Sequence, residues 1–154
     1  MSDEFDLTLA RHLDAAPDLV WRAWTDADLL RQWFTPAPVT VREAVIDPRP
    51  GGRFYTCMRL PDGTEIASEG CILSVEPERR LVFTDAMTEG WRPAPSPFMT
   101  AIITLAPDGQ GTAYGARVLH ADAPARDRHA EMGFERGWGA AADQLEAVAR
   151  SLGA

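Results

Sequence analysis

Residues 125–152, ARDRHAEMGFERGWGAAADQLEAVARSL, make the longest stretch of the chain that reads as one element, a helix running over all of them. Phe134, Trp138, Ala141, Leu145, Val148 and Leu152 recur at alternating steps of four and three, which is one face of an α-helix. Arg128, Glu131, Glu135, Arg136, Asp143, Glu146 and Arg150 take other positions and give a wet side opposite a dry one. A helix of this length needs a broad platform, which the rest of the chain must supply. Gly133, Gly137 and Gly139 fall inside it, each costing about 1 kcal/mol relative to Ala. Gly133 and Gly137 share a face, so backbone or a ligand can approach there more closely than any side chain would allow.

The whole chain of 154 residues is 45% hydrophobic, enough for one domain with its own core. The net charge of −8 and pI of about 4.8 argue against nucleic acid or an anionic membrane as partner, since phosphate binding needs a concentrated basic patch. No apolar run approaches the ~20 residues of a membrane span, and the acidic start has no signal-like core, so a cytoplasmic protein is expected. Cys57 and Cys71 are expected as free packing residues.

Residues 5–13 alternate, with Phe5, Leu7, Leu9, Arg11 and Leu13 in phase, and predict a strand with one buried face. Pro17 and Asp18 then suit the first turn of a short helix through Trp24, and Thr25-Asp-Ala-Asp28 reads as the cap of a second. Pro36 and Pro38 stop it. From there the period is two: strands are expected over 39–46, 53–60, 65–75, 81–87, 98–105 and 112–120, with turns at Arg49-Pro-Gly-Gly52, Pro61-Asp-Gly63, Glu76-Pro-Glu78 and Pro107-Asp-Gly109. Residues 88–97, TEGWRPAPSP, are too long for a tight hairpin and offer a lid or rim with Trp91 on it.

Two Asp-Gly turns set provisional registers. Centring the first hairpin on Asp62-Gly63 opposes Phe54 to Cys71, Thr56 to Glu69 and Met58 to Ala67, and puts Cys57 on the face opposite Cys71, too far round for a disulfide. Centring the second on Asp108-Gly109 opposes Leu105 to Thr112, Ile103 to Tyr114, Ala101 to Ala116 and Met99 to Val118. That apolar face should look at the long helix, with His120 at its end. The order predicts an α+β fold: a curved antiparallel sheet of about seven strands wrapped round the long C-terminal helix, with two short helices after the first strand. Ala67, Ala101 and Ala116 on the inward set, facing glycines on the helix, favour a cavity between the layers.

Six stretches carry a family resemblance: Arg11-His-Leu-Asp-Ala-Ala-Pro17 with Val20-Trp21, Leu30-Arg-Gln-Trp33, Asp47-Pro-Arg-Pro-Gly-Gly52, Pro77-Glu-Arg-Arg-Leu-Val-Phe-Thr84, Gly111-Thr112, and the helix segment from His129 to Trp138. The chain resembles the START/Bet v 1-like, or SRPBCC, superfamily, in the branch named after the activator of the heat-shock protein ATPase. That resemblance implies a helix-grip fold over nearly the whole chain and a cavity that binds apolar, lipid-like or aromatic molecules. It says little about which activity, because the superfamily hosts several.

The candidate cavity set is Arg11, Trp33, Phe54, Met58, Glu69, Met99, Ile103, Tyr114, His120, Phe134, Gly137 and Trp138, with Glu43 a weaker addition. Trp21, Trp24, Trp33 and Trp138 suit core or pocket-wall positions, for an aromatic or sterol-like ligand or for packing alone. Glu69 in an apolar pocket would have a raised pKa and suit hydratase- or cyclase-like acid–base chemistry; the alternative is a structural Arg11–Glu69 ion pair. His120 at a strand end suits a satisfied surface position, and His129 near the helix start could equally face solvent; a functional role is the alternative for either. No HxxxH or CxxC spacing points to a metal, and Pro50-Gly51-Gly52 precedes a strand, so no phosphate cradle or cofactor is expected. The expected role is therefore binding of an apolar small molecule. A cyclase- or hydratase-like enzyme and a co-chaperone that stimulates a heat-shock ATPase are the alternatives, with monomer and homodimer both open.

Overall fold

A computed structural model describes residues 4–153. The first strand, β1 (Asp6–Leu13), is followed by α1 (Pro17–Thr25) and the four-residue α2 (Ala27–Leu30). Pro17 opens α1, and Asp26 caps α2, its Oδ1 accepting from the backbone N–H groups of Asp28 and Leu29 at 2.9 and 3.2 Å. The cap is therefore one residue later than the sequence pattern suggested. Thr25 instead ends α1, with its hydroxyl donating to the Trp21 carbonyl at 2.8 Å.

The strands β2 (Thr40–Ile46), β3 (Arg53–Arg59), β4 (Glu65–Glu76), β5 (Arg80–Thr84), β8 (Thr100–Asp108) and β9 (Gly111–Leu119) join β1 in one seven-stranded antiparallel sheet, in the order β1-β9-β8-β5-β4-β3-β2. Two-residue strands β6 (Met87–Thr88) and β7 (Arg92–Pro93) form a separate ladder in the connection between β5 and β8. The core holds Leu9, Leu13, Val20, Trp24, Leu30, Ile72, Leu81, Ile103, Val118 and Leu145 between the sheet and the helices.

The terminal helix is two helices. α3 (Ala123–Glu131), capped by Asp122 Oδ1 on the Ala125 N–H at 2.9 Å, ends at Met132, and α4 (Phe134–Gly153) restarts after Gly133. Gly133 has φ +88°, a left-handed conformation that stops a helix at little cost only when there is no Cβ. It is a terminator, not one of three helix-interior glycines. The heptad-like spacing runs from Phe134 onward: of the predicted face Phe134 and Leu145 are buried, and Trp138, Ala141 and Val148 pack half-buried against the core. The neighbouring Ala142 and Ala149 are buried as well, so the stripe is centred slightly to one side of the predicted one.

Both hairpins differ from the provisional registers, with opposite consequences. In β8–β9 the two turn residues are Gly109 and Gln110, with Asp108 opposite Gly111, so Leu105 faces Tyr114 and Ile103 faces Ala116. The slip is two residues along the opposed pairs and leaves every side chain on the face expected. In β3–β4 the register puts Phe54 opposite Gly70, Thr56 opposite Ser68 and Tyr55 opposite Glu69, a slip of one. A one-residue slip moves the partner strand's side chains to the other face. Glu69 and Ala67 therefore point away from the helices. Cys57 and Cys71 are both buried free thiols; they share a face, but Cys71 pairs with Arg53, four positions along the ladder from Cys57, so distance rather than orientation separates them. A bulge between Val41 and Glu43 likewise turns Glu43 outward and leaves it exposed.

Candidate ligand cavity

A cavity of about 300 Å³ lies between the sheet and α4. Trp24 at the end of α1 and Trp33, Phe34, Thr35, Pro36 and Val39 in the segment leading to β2 make one wall. Met58, Met99 and Tyr114 form its sheet side, and His129, Met132, Gly133, Phe134, Gly137, Trp138, Ala141 and Ala142 form the helix wall. Met132 is 73% exposed and marks the rim. A smaller space of about 150 Å³, lined by Phe54, Thr56, Ser68, Thr84 and Asp85, shares Phe34, Met58 and Met99 with it and forms a more polar annex.

Aromatic rings build both walls. Trp24 packs on Trp33 and Phe34 with centroids 4.8 and 5.9 Å apart, and its indole N–H donates to the Tyr114 hydroxyl at 3.2 Å. The Trp33 indole N–H donates to the Ala23 carbonyl at 3.0 Å. Across the cavity, His129 is ringed by Phe98, Phe134 and Trp138 at 4.9, 5.1 and 6.3 Å. Behind it, His120 Nε2 lies 2.8 Å from His129 Nδ1, and His120 Nδ1 lies 2.7 Å from the Phe5 carbonyl. Burial, then the neighbouring His120, holds the His129 pKa down to about 4, with Asp85 acting weakly in the other direction. Burial also pushes the Tyr114 hydroxyl well above the usual phenol range, against the opposing Trp24 bond.

Of the residues that the sequence pointed to, Trp33, Met58, Met99, Tyr114, Phe134, Gly137 and Trp138 line this cavity, and Phe54 lines the annex. Ile103 sits in the packed core instead, 1% exposed. His120 stands one residue behind the wall, buried, with His129 at the surface of the cavity. Glu69 is on the outer face, exposed, with its carboxylate on the Arg53 guanidinium at 2.6 Å. Arg11 keeps its inward phase but runs out across α4 to solvent: a Cβ on Gly139 would collide with its guanidinium. The Arg11–Glu69 pair does not form. Trp91, 54% exposed, lies over Gly51 in the β2–β3 turn rather than at the cavity, which removes residues 88–97 as its lid.

His129 is hidden in the sequence because a lone His near a helix start, preceded by Arg126, Asp127 and Arg128, has the pattern of a solvated position. Only the break at Gly133 swings α3 so that His129 meets the end of β9. In the segment from Thr35 to Val39 the prolines mark a helix stop and Val39 a strand start, and nothing local marks it as a wall. No group of three or more His, Cys, Asp or Glu near enough to share a metal ion occurs among the described residues. No helix among them is long and apolar enough to cross a membrane.

The model of the family described as Activator of Hsp90 ATPase homolog 1-like protein matches residues 14–150. The chain belongs to that family. A crystal structure of protein NE0264 from Nitrosomonas europaea is 42% identical, with a TM-score of 0.95 over 98% of this chain and 97% of that one. Protein Ms6760 from Mycobacterium smegmatis is 27% identical, with a TM-score of 0.79 over 95% and 91% of the two chains. An AHSA1-like protein from Aeromonas hydrophila shares the fold, at 20% identity and a TM-score of 0.70, over 96% of this chain and 94% of that one. No curated protein matches the chain. For this family member the helix-grip architecture expected from the sequence is the one observed: an α+β fold with a seven-stranded antiparallel sheet and a C-terminal helix.

Proposed function

We propose that this family member binds a small, largely apolar molecule in the cavity between the sheet and α4, and that it does so without performing chemistry on it. The carrying observation is the cavity itself: about 300 Å³, walled mainly by aromatic, methionine and alanine side chains, with an exposed methionine at its rim. Two further features support binding over turnover. Glu69, the carboxylate on which a hydratase- or cyclase-like mechanism would depend, is outside on Arg53. Asp85, in the annex, holds the backbone N–H groups of Phe98 and Met99 on one oxygen, at 2.7 and 3.0 Å, a structural use of the carboxylate. The acidic composition and free cysteines suit a cytoplasmic setting.

Native mass spectrometry of gently purified protein tests this reading, alongside titration with apolar aromatic probes followed by tryptophan fluorescence. Trp24, Trp33 and Trp138 line the cavity and report its occupancy directly. Binding that is abolished by filling the cavity with Ala141→Trp is the expected result; no quenching by any such probe sinks the reading.

The family description favours a second reading, stimulation of an Hsp90-type ATPase. That role would use the outer surface and leave the cavity free. ATP hydrolysis by a purified bacterial Hsp90, measured with and without this protein, decides it: an unchanged rate removes the reading.

A further inference from the structure

Two atoms in the cavity wall have unused hydrogen-bonding capacity, and the bonds behind them set its sign. His120 Nδ1 lies 2.7 Å from the Phe5 carbonyl, which can only accept, so Nδ1 carries a hydrogen. In the uncharged pair His120 Nε2 is then a lone pair, and its 2.8 Å contact with His129 Nδ1 requires His129 to donate. His129 Nε2 is left as an acceptor. Among the described residues it makes no hydrogen bond, yet the only buried side-chain nitrogen or oxygen sealed without a hydrogen bond is Arg126 Nε, which pairs ionically with Asp127 at 2.9 Å. His129 Nε2 therefore opens onto free space, and the space His129 borders is the cavity. Tyr114 follows the same logic: the Trp24 indole only donates, so the Tyr114 oxygen accepts and its own hydrogen stays available.

We propose that the ligand is a neutral, largely apolar molecule bearing a hydroxyl group, a phenol or an alcohol, which donates to His129 Nε2 and has an oxygen placed to accept from Tyr114. This rests on the binding reading above and names its chemistry. A pure hydrocarbon would desolvate both atoms and leave them unpaired. A carboxylate would bring a buried anion to a wall with no Arg in it, facing a lone pair. With its pKa held near 4, His129 keeps that lone pair at neutral pH but is too weak a base to take the ligand's proton, so it recognises the hydroxyl without ionising it. The charged and titratable groups around it are few: His120 behind, Asp85 nearby, Tyr114 on the same cavity, and Arg128 stacked on the far side over Phe98 at 5.9 Å.

Three probes of similar shape test the class: 2-naphthol, 2-methylnaphthalene and the anion 2-naphthoate, titrated by tryptophan fluorescence into wild type and His129→Phe. The phenyl ring keeps the wall apolar and removes only the acceptor. The preference for naphthol over methylnaphthalene should fall about tenfold in the variant, the equivalent of one hydrogen bond, while methylnaphthalene binding persists. Naphthoate should bind more weakly than naphthol to wild type. A preference that does not change, or naphthoate binding tighter than naphthol, overturns the proposal while leaving the binding reading intact. Failure of all three probes to bind wild type overturns both. Long-range proton–nitrogen NMR on the wild-type protein needs no variant: His129 should be protonated on Nδ1, with its Nε2 resonance moving when naphthol is added. A hydrogen on Nε2 instead would overturn the proposal.

Discussion

The two aromatic walls of the cavity differ in what lies behind them. On the α1 side, the Trp24 and Trp33 indole hydrogens are both committed, to Tyr114 and to the Ala23 carbonyl. Those rings offer a ligand only their faces and edges. On the α3–α4 side, the His120–His129 pair ends in an atom with nothing to bond. One wall is a packing element that happens to border a void. The other is supported from behind by a hydrogen-bonded chain and reserves its last valence for the void. Apolar lining alone therefore does not describe a cavity wall: one wall has its indole hydrogens satisfied within the protein, and the other keeps an unpaired acceptor.

The largest expected break comes on the satisfied wall. Trp24→Ala removes a ring 2% exposed and unpairs the Tyr114 oxygen, and should cost about 3–5 kcal/mol in denaturant unfolding. A loss below about 1 kcal/mol would show that this wall is already loose.

The next concerns the other wall and pH. Unfolded His129 takes up a proton below about 6.5, whereas in the fold it does not until about 4, so between those values the unfolded state binds more protons and stability falls as the pH drops. The shift caps the effect at roughly 3 kcal/mol. Carboxylates titrate in the lower part of the same window, so the measurement is the difference between wild type and His129→Phe from pH 7 to pH 5. The variant should lose less stability; parallel curves would mean that His129 is already charged in the fold.

Glycines sharpen the comparison at smaller scale. Gly133→Ala strains a left-handed residue and should destabilise by about 1 kcal/mol, although nothing lies within 4 Å of the added methyl. Gly137→Ala should do the reverse. Its methyl would meet only Pro36 Cγ, at 3.8 Å, so better helix propensity should add about 0.5–1 kcal/mol in the empty protein, while the methyl takes space from a ligand. A lower melting temperature for Gly137→Ala would mean that this end of the cavity is closed.

Glu69→Gln is the smallest. It breaks an exposed pair with Arg53 and should change stability by less than about 1 kcal/mol and ligand affinity not at all. Any effect on probe binding would put Glu69 back at the cavity.

Most of the fold was legible because it follows from periodicity, which local residues carry. The two-residue rhythm of the strands, the three-four spacing from Phe134 to Leu152 and the Pro and Gly punctuation are properties of short windows. The apolar cavity residues followed from the same rhythm, and the two-residue slip in β8–β9 did them no harm, since it preserves faces. The one-residue slip in β3–β4 moved Glu69 out of the site altogether, and only hydrogen bonding across the turn decides such a slip.

The sequence by itself determined the layers, the amphipathic face of α4, the free cysteines' identity as packing residues and the family. Tertiary structure alone decided which polar groups reach the cavity. Arg11 leaves along the notch at Gly139, Glu69 and Glu43 turn outward, and His129 turns in because Gly133 breaks the helix in front of it. The physical reason is one of range. Apolar burial is set by repeated local spacing and tolerates small errors of register, whereas a hydrogen bond needs its two atoms within about 3 Å of each other. His120 and His129 meet that condition only because β9 and α3, each legible alone, come together in space.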